Sequence, residues 1–342
     1  MIVLKVLLLS AVVLLLLLIL LVTAWVLQPT FRRSQGQLWV RGDPVRLRQD
    51  VAALTSIPGG RSYLNGTGLA TAAAYIRTSF AESGARVTEQ VYYVGTASYT
   101  NVIASFGPET GDRIIVGAHY DTVRGTPGAD DNASGVAGLL ELARALSSGI
   151  PQTRIDLVAY VLEELPFFRT EQMGSYVHAK SLRDANVRVR AMICLEMIGY
   201  YTDLPNSQEY PLSGMATIYG NRGDFIALVG NMGQRALVRS VKRAMLAGGD
   251  LPIVSANAPR SIPGIDYSDH RNYWAFGYPA VMLTDTAFYR NPNYHATGDT
   301  PDTLDYHRMA KLVDQIDSAV MYLAGERRLA ARSDARSQHG TP

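Results

Sequence analysis

The sequence predicts an α/β fold: a single domain with a mixed, largely parallel central sheet flanked by helices, preceded by one N-terminal transmembrane helix. Three observations lead to this prediction. Short apolar runs rich in β-branched residues recur along the chain, amphipathic stretches of helical length separate them, and the run from Val6 to Val26 carries no charge. Apolar strands that alternate with helices are typical of a parallel sheet covered on both faces. The 342 residues, 47% of them hydrophobic, are enough for a sizeable core.

The uncharged run from Val6 to Val26 predicts a membrane anchor. At about 1.5 Å per residue, a helix of this length spans the roughly 30 Å of a bilayer core. A cleaved secretory signal is the alternative, but its apolar stretch is usually shorter, and a small-x-small cleavage site is absent after the run. We therefore predict a single-pass anchor over residues 1–27, with the catalytic domain on the periplasmic or extracellular side. Orientation stays open, because Lys5 precedes the run and Arg32 and Arg33 follow it.

A polar linker over residues 28–43 separates this anchor from the main domain, predicted over residues 44–327. Helices are expected at 68–84, from about Ala133 and at 306–324, and strands at 100–106, 113–119, 155–162, 191–196 and 279–284. Two segments rich in Gly, Pro, Asn and Tyr, 200–224 and 247–268, are interpreted as long loops. The polar tail over residues 328–342 is predicted to be disordered.

Composition excludes some classes of function. The net charge of +2 is too small and too dispersed to indicate binding to nucleic acid. The one cysteine, Cys194, lies in an apolar run and is expected to be a buried, inert thiol. No pattern in the sequence indicates an oligomeric state.

Acidic and histidine side chains are placed at the ends of the predicted strands. His119 ends one strand, Glu163 and Glu164 end the next, Glu196 ends a third, and His295 lies in the loop after a fourth. In open parallel sheets, ligands bind beyond the carboxyl ends of the strands, so these side chains are expected to converge at one edge. Asp131 enters the same edge at the start of a helix that Asn132 could cap.

Two imidazoles and several carboxylates at one place would repel and desolvate each other without a cation. Histidine nitrogen with carboxylate oxygen and no thiolate favours zinc. Within the adjacent pair we assign Glu163 as general base and Glu164 as ligand, the alternative being an exposed acidic strand end. His178, His307 and His339 have no comparable context and are interpreted as surface residues.

Six motifs in order resemble the co-catalytic zinc aminopeptidase family, whose relatives include glutaminyl cyclase, glutamate carboxypeptidase and the catalytically inactive transferrin receptor. The resemblance covers roughly residues 45–325. It rests on GAHYDTV, PGADDNASG, LEEL, LEMIG, SDHRNYWAFGYPAVMLTD and NYHATGDTPDTLDY. Each motif is weak by itself, but six in order with compatible spacing are specific.

The resemblance implies two zinc ions per chain and a role for each matching residue. The implied metal ligands are His119, Asp131, Glu164, Glu196 and His295. Asp131 would bridge the ions, His119 and Glu196 would complete one, and Glu164 and His295 the other. Glu163 would be the base and Asp121 would orient His119. A cis peptide bond often follows the bridging aspartate in this family.

Further positions are candidates for substrate contact. Tyr267 is a candidate hydrogen-bond donor to the oxyanion, and Asp269 and His270 could support substrate or ligands. Phe167, Phe168 and Arg169 lie in an unusual stretch, LPFFRTEQM, that either lines the cleft or packs as a loop.

The function predicted from the sequence is that of a membrane-anchored, zinc-dependent exopeptidase that cleaves short peptides through a water activated by two zinc ions. An aminopeptidase is favoured. Glu196 stands where aminopeptidases commonly have aspartate, so a carboxypeptidase is an alternative, with Arg169 or Arg271 holding the terminal carboxylate. A second alternative is a glutaminyl cyclase-type acyl transferase with one zinc. A scaffold without metal is disfavoured, because the ligand positions and Glu163 are retained.

Overall fold

The computed structural model describes residues 2–27 and 41–326. The predicted disordered tail, and all of the predicted linker except its last three residues, lie outside this described part. Those three residues belong to the folded domain. The backbone N–H groups of Arg41 and Gly42 donate to the Asp314 carboxylate at 2.8 and 3.0 Å, and the Asp43 side chain caps the helix that begins at Pro44.

A mixed sheet forms the centre of the described domain. Its strands are β1 (Arg86–Val94), β2 (Ala97–Phe106), β3 (Arg113–His119), β4 (Arg154–Tyr160), β5 (Val189–Glu196), β6 (Ile226–Asn231), β7 (Ile253–Ala258) and β8 (Ala280–Thr284). The strand order is β1-β2-β4-β3-β5-β8-β6-β7. Strands β4, β3, β5 and β8 pair in parallel, whereas β2 and β6 join this centre antiparallel. The predicted mixed α/β fold is therefore confirmed.

Helices cover both faces of the sheet. The described helices are α1 (Ile2–Leu27), α2 (Pro44–Thr55), α3 (Gly66–Glu82), α4 (Gly135–Leu146), α5 (Gly174–Asp184), α6 (Met215–Tyr219), α7 (Arg235–Gly248), α8 (His270–Ala275) and α9 (Tyr306–Leu323). Side chains alternate across β3: Ile114 and Val116 pack in the core shared with α2, α3, α4, α7 and α9, and Ile115 packs in the core shared with α5 and α8. Burial on both faces explains why the central strands are uninterrupted apolar runs.

The segment 247–268, predicted to be a loop, contains strand β7, so that prediction was wrong. Ile253, Ser255 and Asn257 of β7 are buried, and the residues between them are partly exposed. Polar residues on the buried face of a six-residue edge strand hide the alternation that would have identified it. The segment 200–224 contains only the five-residue helix α6.

Helix α1 contains the run interpreted as a membrane anchor. In the described part of the chain, no helix is both long enough and apolar enough to cross a membrane. The transmembrane helix is therefore not confirmed.

Candidate metal centre

The candidate residues lie at the carboxyl edge of the parallel strands. His119 and Glu196 are the last residues of β3 and β5, which are neighbours in the sheet. Glu163 and Glu164 follow the end of β4 by three and four residues, in an irregular connection in which Leu162 has a φ of 64°. The strand does not continue through the pair, so their directions are set by this connection.

Asp131 lies between the two histidines. One carboxylate oxygen, Oδ1, is 3.4 Å from Nε2 of His119, and the other, Oδ2, is 3.1 Å from Nε2 of His295. Nε2 of His119 is also 3.4 Å from Oε2 of Glu196, and Nε2 of His295 is 3.5 Å from Oε2 of Glu164. The five residues therefore form two groups, each able to hold a metal ion, that share Asp131.

The donor atoms of this cluster are buried and partly without hydrogen bonds. In the described part of the chain, Nε2 of His119 and Oε1 of Glu164 are buried and have no hydrogen-bond partner. A buried polar atom without a partner costs about 1–3 kcal/mol, more when it is charged. Coordination to a cation would remove this cost, and nitrogen and oxygen donors with no thiolate suit zinc. The residues present therefore fit zinc.

Burial is the main influence on the ionisation of the cluster. It raises the pKa of Glu163 well above its ordinary value, against the effect of the His119 charge. It also raises the pKa of Glu164, and the charge of Asp131 adds to this shift. Burial opposes ionisation of Asp131 too, but the adjacent imidazoles of His119 and His295 lower its pKa below the ordinary value. Asp131 is thus the carboxylate that both imidazoles stabilise.

Asp121 holds three parts of the centre together. Its backbone carbonyl is 3.2 Å from Nδ1 of His119, and its carboxylate is 3.6 Å from the same atom. The two carboxylate oxygens accept hydrogen bonds from the backbone N–H groups of Glu163 and Glu164, each at 3.1 Å. Asp121 therefore lies where the resemblance implied, beside His119, and it also fixes the backbone of the glutamate pair.

The turn that carries Asp131 is held by buried side chains. The carboxylate of Asp299 accepts the backbone N–H groups of Asp130 and Asp131 at 2.8 and 3.1 Å. The peptide bond between Asp131 and Asn132 is cis, as the resemblance implied. The side chain of Asn132 accepts the N–H of Gly135, the first residue of α4, and donates to the carbonyl of Leu195 at 2.9 Å. This turn is thus tied to the end of β5.

Ser268 contacts Glu196, a candidate metal ligand for which the sequence predicted no hydrogen-bond partner. Its hydroxyl donates to Oε2 of Glu196 at 2.5 Å and lies 3.1 Å from the sulfur of Cys194. Cys194 is buried, as predicted. The contact joins residues 72 apart in the chain. No local pattern distinguishes Ser268 from other serines, so the sequence contains no signal that could have identified it.

Tyr267, Asp269 and His270, the other candidates for substrate contact, differ in burial and in their partners. The Tyr267 ring is partly exposed, 6.0 Å from the ring of Phe168 and 6.1 Å from that of Phe288. Asp269 is buried, and burial raises its pKa to about 7. Nε2 of His270 donates to the carbonyl of Ile265 at 2.8 Å.

Two predictions about individual side chains are settled by packing. His178 is buried, with Nδ1 2.6 Å from the hydroxyl of Tyr273, so its interpretation as a surface residue was wrong. Phe167 packs edge-on against Tyr63, with ring centroids 5.3 Å apart, and belongs to the packed loop. The adjacent Phe168 instead contacts Tyr267.

An apolar pocket, the apolar cavity, opens beside the centre. Glu196 and Tyr267 line it on the side of the predicted ligands. The rest of its wall is mainly apolar and aromatic, including Tyr210, Met215, Tyr219, Phe288 and Tyr294. The Tyr294 ring stacks on the imidazole of His295 at 3.7 Å, so the cavity and the centre share a wall.

Known proteins are similar to this chain in sequence. The uncharacterized protein YfbL of Escherichia coli K12 is 51% identical over 281 residues, which cover 80% of this chain and 86% of that protein. Leucine aminopeptidase 1 of Coccidioides posadasii is 26% identical over 223 residues, covering 61% of this chain and 52% of that protein.

Solved structures at lower identity share the fold. BSAP, a zinc aminopeptidase from Bacillus subtilis, has a TM-score of 0.66 at 15% identity and covers 84% of this chain and 96% of its own. A glutaminyl cyclase from Bacteroides thetaiotaomicron has a TM-score of 0.64 at 18% identity and covers 83% and 99%.

The sequence also matches peptidase family M28 over residues 101–320, a range that contains all five predicted ligands and Glu163. The strand-end position of these residues and their mutual contacts agree with that match. The chain is a metallopeptidase and belongs to peptidase family M28.

Proposed function

We propose that this metallopeptidase is an aminopeptidase that works with two zinc ions. The observation that carries the proposal is the position of Asp131, whose two carboxylate oxygens face His119 and His295 on opposite sides at 3.4 and 3.1 Å. Each histidine has a second carboxylate beside it, from Glu196 and Glu164 respectively. One ion would be held by His119, Asp131 and Glu196, the other by Asp131, Glu164 and His295.

Zinc bound here would lower the pKa of a bound water and polarise the scissile carbonyl. The carboxylate of Glu163, with Oε2 3.9 Å from Nε2 of His119, is placed to take the proton of the attacking water. Asp121 fixes the Glu163 backbone, so the base is held relative to His119. Tyr267 is proposed as the donor to the oxyanion.

The direction of attack is proposed from the surroundings of the centre. A free α-ammonium needs carboxylate acceptors, and the cluster contains more carboxylates than two zinc ions require, Glu163 among them. The apolar cavity beside Glu196 suits the side chain of an N-terminal residue. Leucine aminopeptidase 1 of Coccidioides posadasii, at 26% identity, also supports this direction.

We propose a membrane location from the sequence only. The uncharged run over residues 6–26 supports a single-pass anchor, with the catalytic domain on the periplasmic or extracellular side.

The deciding experiment compares a neutral pentapeptide in free, N-acetylated and C-amidated forms, with zinc supplied and the products identified by mass. We expect the free and amidated forms to lose their N-terminal residue, because both keep the ammonium group, and the acetylated form to be stable. Release of the C-terminal residue from the acetylated peptide would instead show a carboxypeptidase. The Glu163→Gln protein, purified in the same way, controls for contaminating peptidases.

A further inference from the structure

We propose that Arg169, Arg260 and Arg271 form a cationic subsite beside the metal centre, which binds a carboxylate of the peptide segment that follows the scissile bond. The proposal rests on the proposed aminopeptidase function, because it assigns the position of the leaving segment. It adds a substrate preference: peptides with a carboxylate close to the scissile bond.

The three guanidinium groups share one carboxylate. Asp266 lies 2.8 Å from Nη2 of Arg169, 3.7 Å from Nη2 of Arg271 and 3.9 Å from Nη2 of Arg260. In the described part of the chain, no other acidic residue lies within salt-bridge distance of these three arginines. The group therefore has two positive charges in excess of its carboxylate. Nε of Arg271 is buried and has no hydrogen-bond partner among the described residues.

The cluster lies next to the catalytic groups. Ser268, the neighbour of Tyr267 in the chain, donates to Oε2 of Glu196, so Tyr267 lies beside the predicted ligands. The guanidinium of Arg169 is 5.0 Å from the centre of the Tyr267 ring. Both Arg169 and Arg271 lie over the ring of Phe168, at 5.3 and 5.6 Å.

Tyr267 separates the cluster from the apolar cavity. Its ring contacts Phe288, which lines the cavity, and Phe168, which is outside the lining and carries the arginines. If the cavity takes the side chain of the N-terminal residue, the leaving segment extends past the metal centre on the side of Phe168. The arginines are therefore positioned for the leaving segment.

A carboxylate is the group that this arrangement fits. A guanidinium presents parallel N–H donors that match the two oxygens of a carboxylate, and stacking on aromatic rings holds its plane in place. The partly exposed Arg169 and the more buried Arg271 could both reach one anion. Two sources supply such a group near the scissile bond: the C-terminus of a dipeptide, and an acidic side chain on the residue after the bond.

The test measures kcat/KM for four substrates of the zinc-loaded enzyme: leucyl-glycine, leucyl-glycinamide, leucyl-aspartamide with a free side-chain carboxylate, and leucyl-asparaginamide. We expect the charged member of at least one pair to be preferred about 10- to 100-fold, the range for a charge-assisted hydrogen bond. A preference for leucyl-glycine over its amide identifies the terminal carboxylate as the group bound. A preference within the second pair identifies an acidic side chain.

Substitution of the arginines tests whether they cause the preference for a charged substrate. In Arg169→Gln and Arg271→Gln the charged-to-neutral ratio should fall towards one, and in Arg188→Gln it should stay at the wild-type value. Arg188 is a matched control, because it pairs with one aspartate, Asp112, before the start of β5, at the strand end opposite Glu196. Arg169→Glu, at a partly exposed side chain, should reverse the order so that leucyl-lysinamide is cleaved faster than leucyl-aspartamide.

The outcomes separate the two proposals. The subsite would be overturned if leucyl-glycinamide were cleaved and neither pair showed a charge preference, or if the preference persisted in both Gln variants. The aminopeptidase proposal would stand in either case, and the arginines would then only connect two loops. Failure to cleave any of the four substrates at the N-terminal residue would overturn the aminopeptidase and the subsite together.

Discussion

At the scale of single residues, the adjacent glutamates Glu163 and Glu164 have different neighbours in the centre. Asp121 holds the backbone N–H of both, yet their carboxylates reach different histidines: Oε2 of Glu163 is 3.9 Å from His119, and Oε2 of Glu164 is 3.5 Å from His295. Among the described residues, Glu164 belongs to two of the three possible ligand groups, including the one with Asp131 and His295, whereas Glu163 belongs to one, with His119 and Glu164. This geometry supports a base at Glu163 and a ligand at Glu164.

Substitution within the pair should separate the two roles. Glu163→Gln keeps the size of the side chain, so we expect it to keep its zinc while kcat falls by about 10²–10⁴, the usual contribution of a general base. Glu164→Ala, Asp131→Ala and His295→Ala each remove a donor and should lower bound zinc. Metal content by atomic spectroscopy and kcat on one peptide measure both. If Glu163→Gln lost zinc and Glu164→Gln retained it, the assignment would be reversed.

At the scale of elements, the connections between strands position the site, and the contacts of residues 41–43 mark where the described domain begins. The described domain starts before helix α2, because Arg41 and Gly42 bind Asp314 and the N–H of Asp43 donates to Glu141 at 2.9 Å. Asp43 also caps α2. A truncation that preserves the domain should therefore begin at residue 41, before these contacts.

The anchor proposed from residues 6–26 has a direct test at this scale. The full-length protein should stay with membranes after an alkaline carbonate wash, whereas a chain that begins at Arg41 should be recovered in solution with its peptidase activity. A chain that begins at Val45 lacks the cap of α2 and should unfold at a lower temperature, since a lost N-cap costs about 0.5–2 kcal/mol. Release of the full-length protein by the wash would overturn the anchor.

At the scale of the whole molecule, the centre joins parts of the chain that are distant in sequence. Its candidate ligands come from the ends of β3 and β5, the turn before α4, the connection after β4 and the loop after β8. Buried carboxylates gathered from so many elements repel one another without a cation. Bound zinc would therefore stabilise the native arrangement of the entire sheet edge.

Removal of zinc should lower the Tm of the protein, and returning zinc should restore it. At free zinc about 100-fold above Kd, one site adds about 2.7 kcal/mol to the free energy of unfolding. Differential scanning fluorimetry during titration measures the shift, and metal analysis should give two ions per chain. The Asp131→Ala protein is the matched control and should show a much smaller shift. One ion per chain at saturation would favour the glutaminyl cyclase-type alternative.

The fold class, most of the central strands and the placement of His119 and Glu196 at strand ends could be predicted from the amino-acid sequence. These features are encoded locally, since apolar runs of strand length and amphipathic helical stretches depend on neighbours along the chain. The order of the motifs indicated the zinc peptidase family before any contact was known. Strand β7 was missed because buried Ser255 and Asn257 break its apolar pattern.

The contacts between distant side chains could not be predicted in this way. Several of these contacts join residues far apart in the chain. Ser268 donates a hydrogen bond to Glu196, and Asp121 accepts hydrogen bonds from the backbone of Glu163 and Glu164. Asp266 pairs with three arginines. The burial of His178 against Tyr273 is of the same kind. Such contacts depend on how packed elements bring distant side chains together, and local sequence patterns do not record that packing.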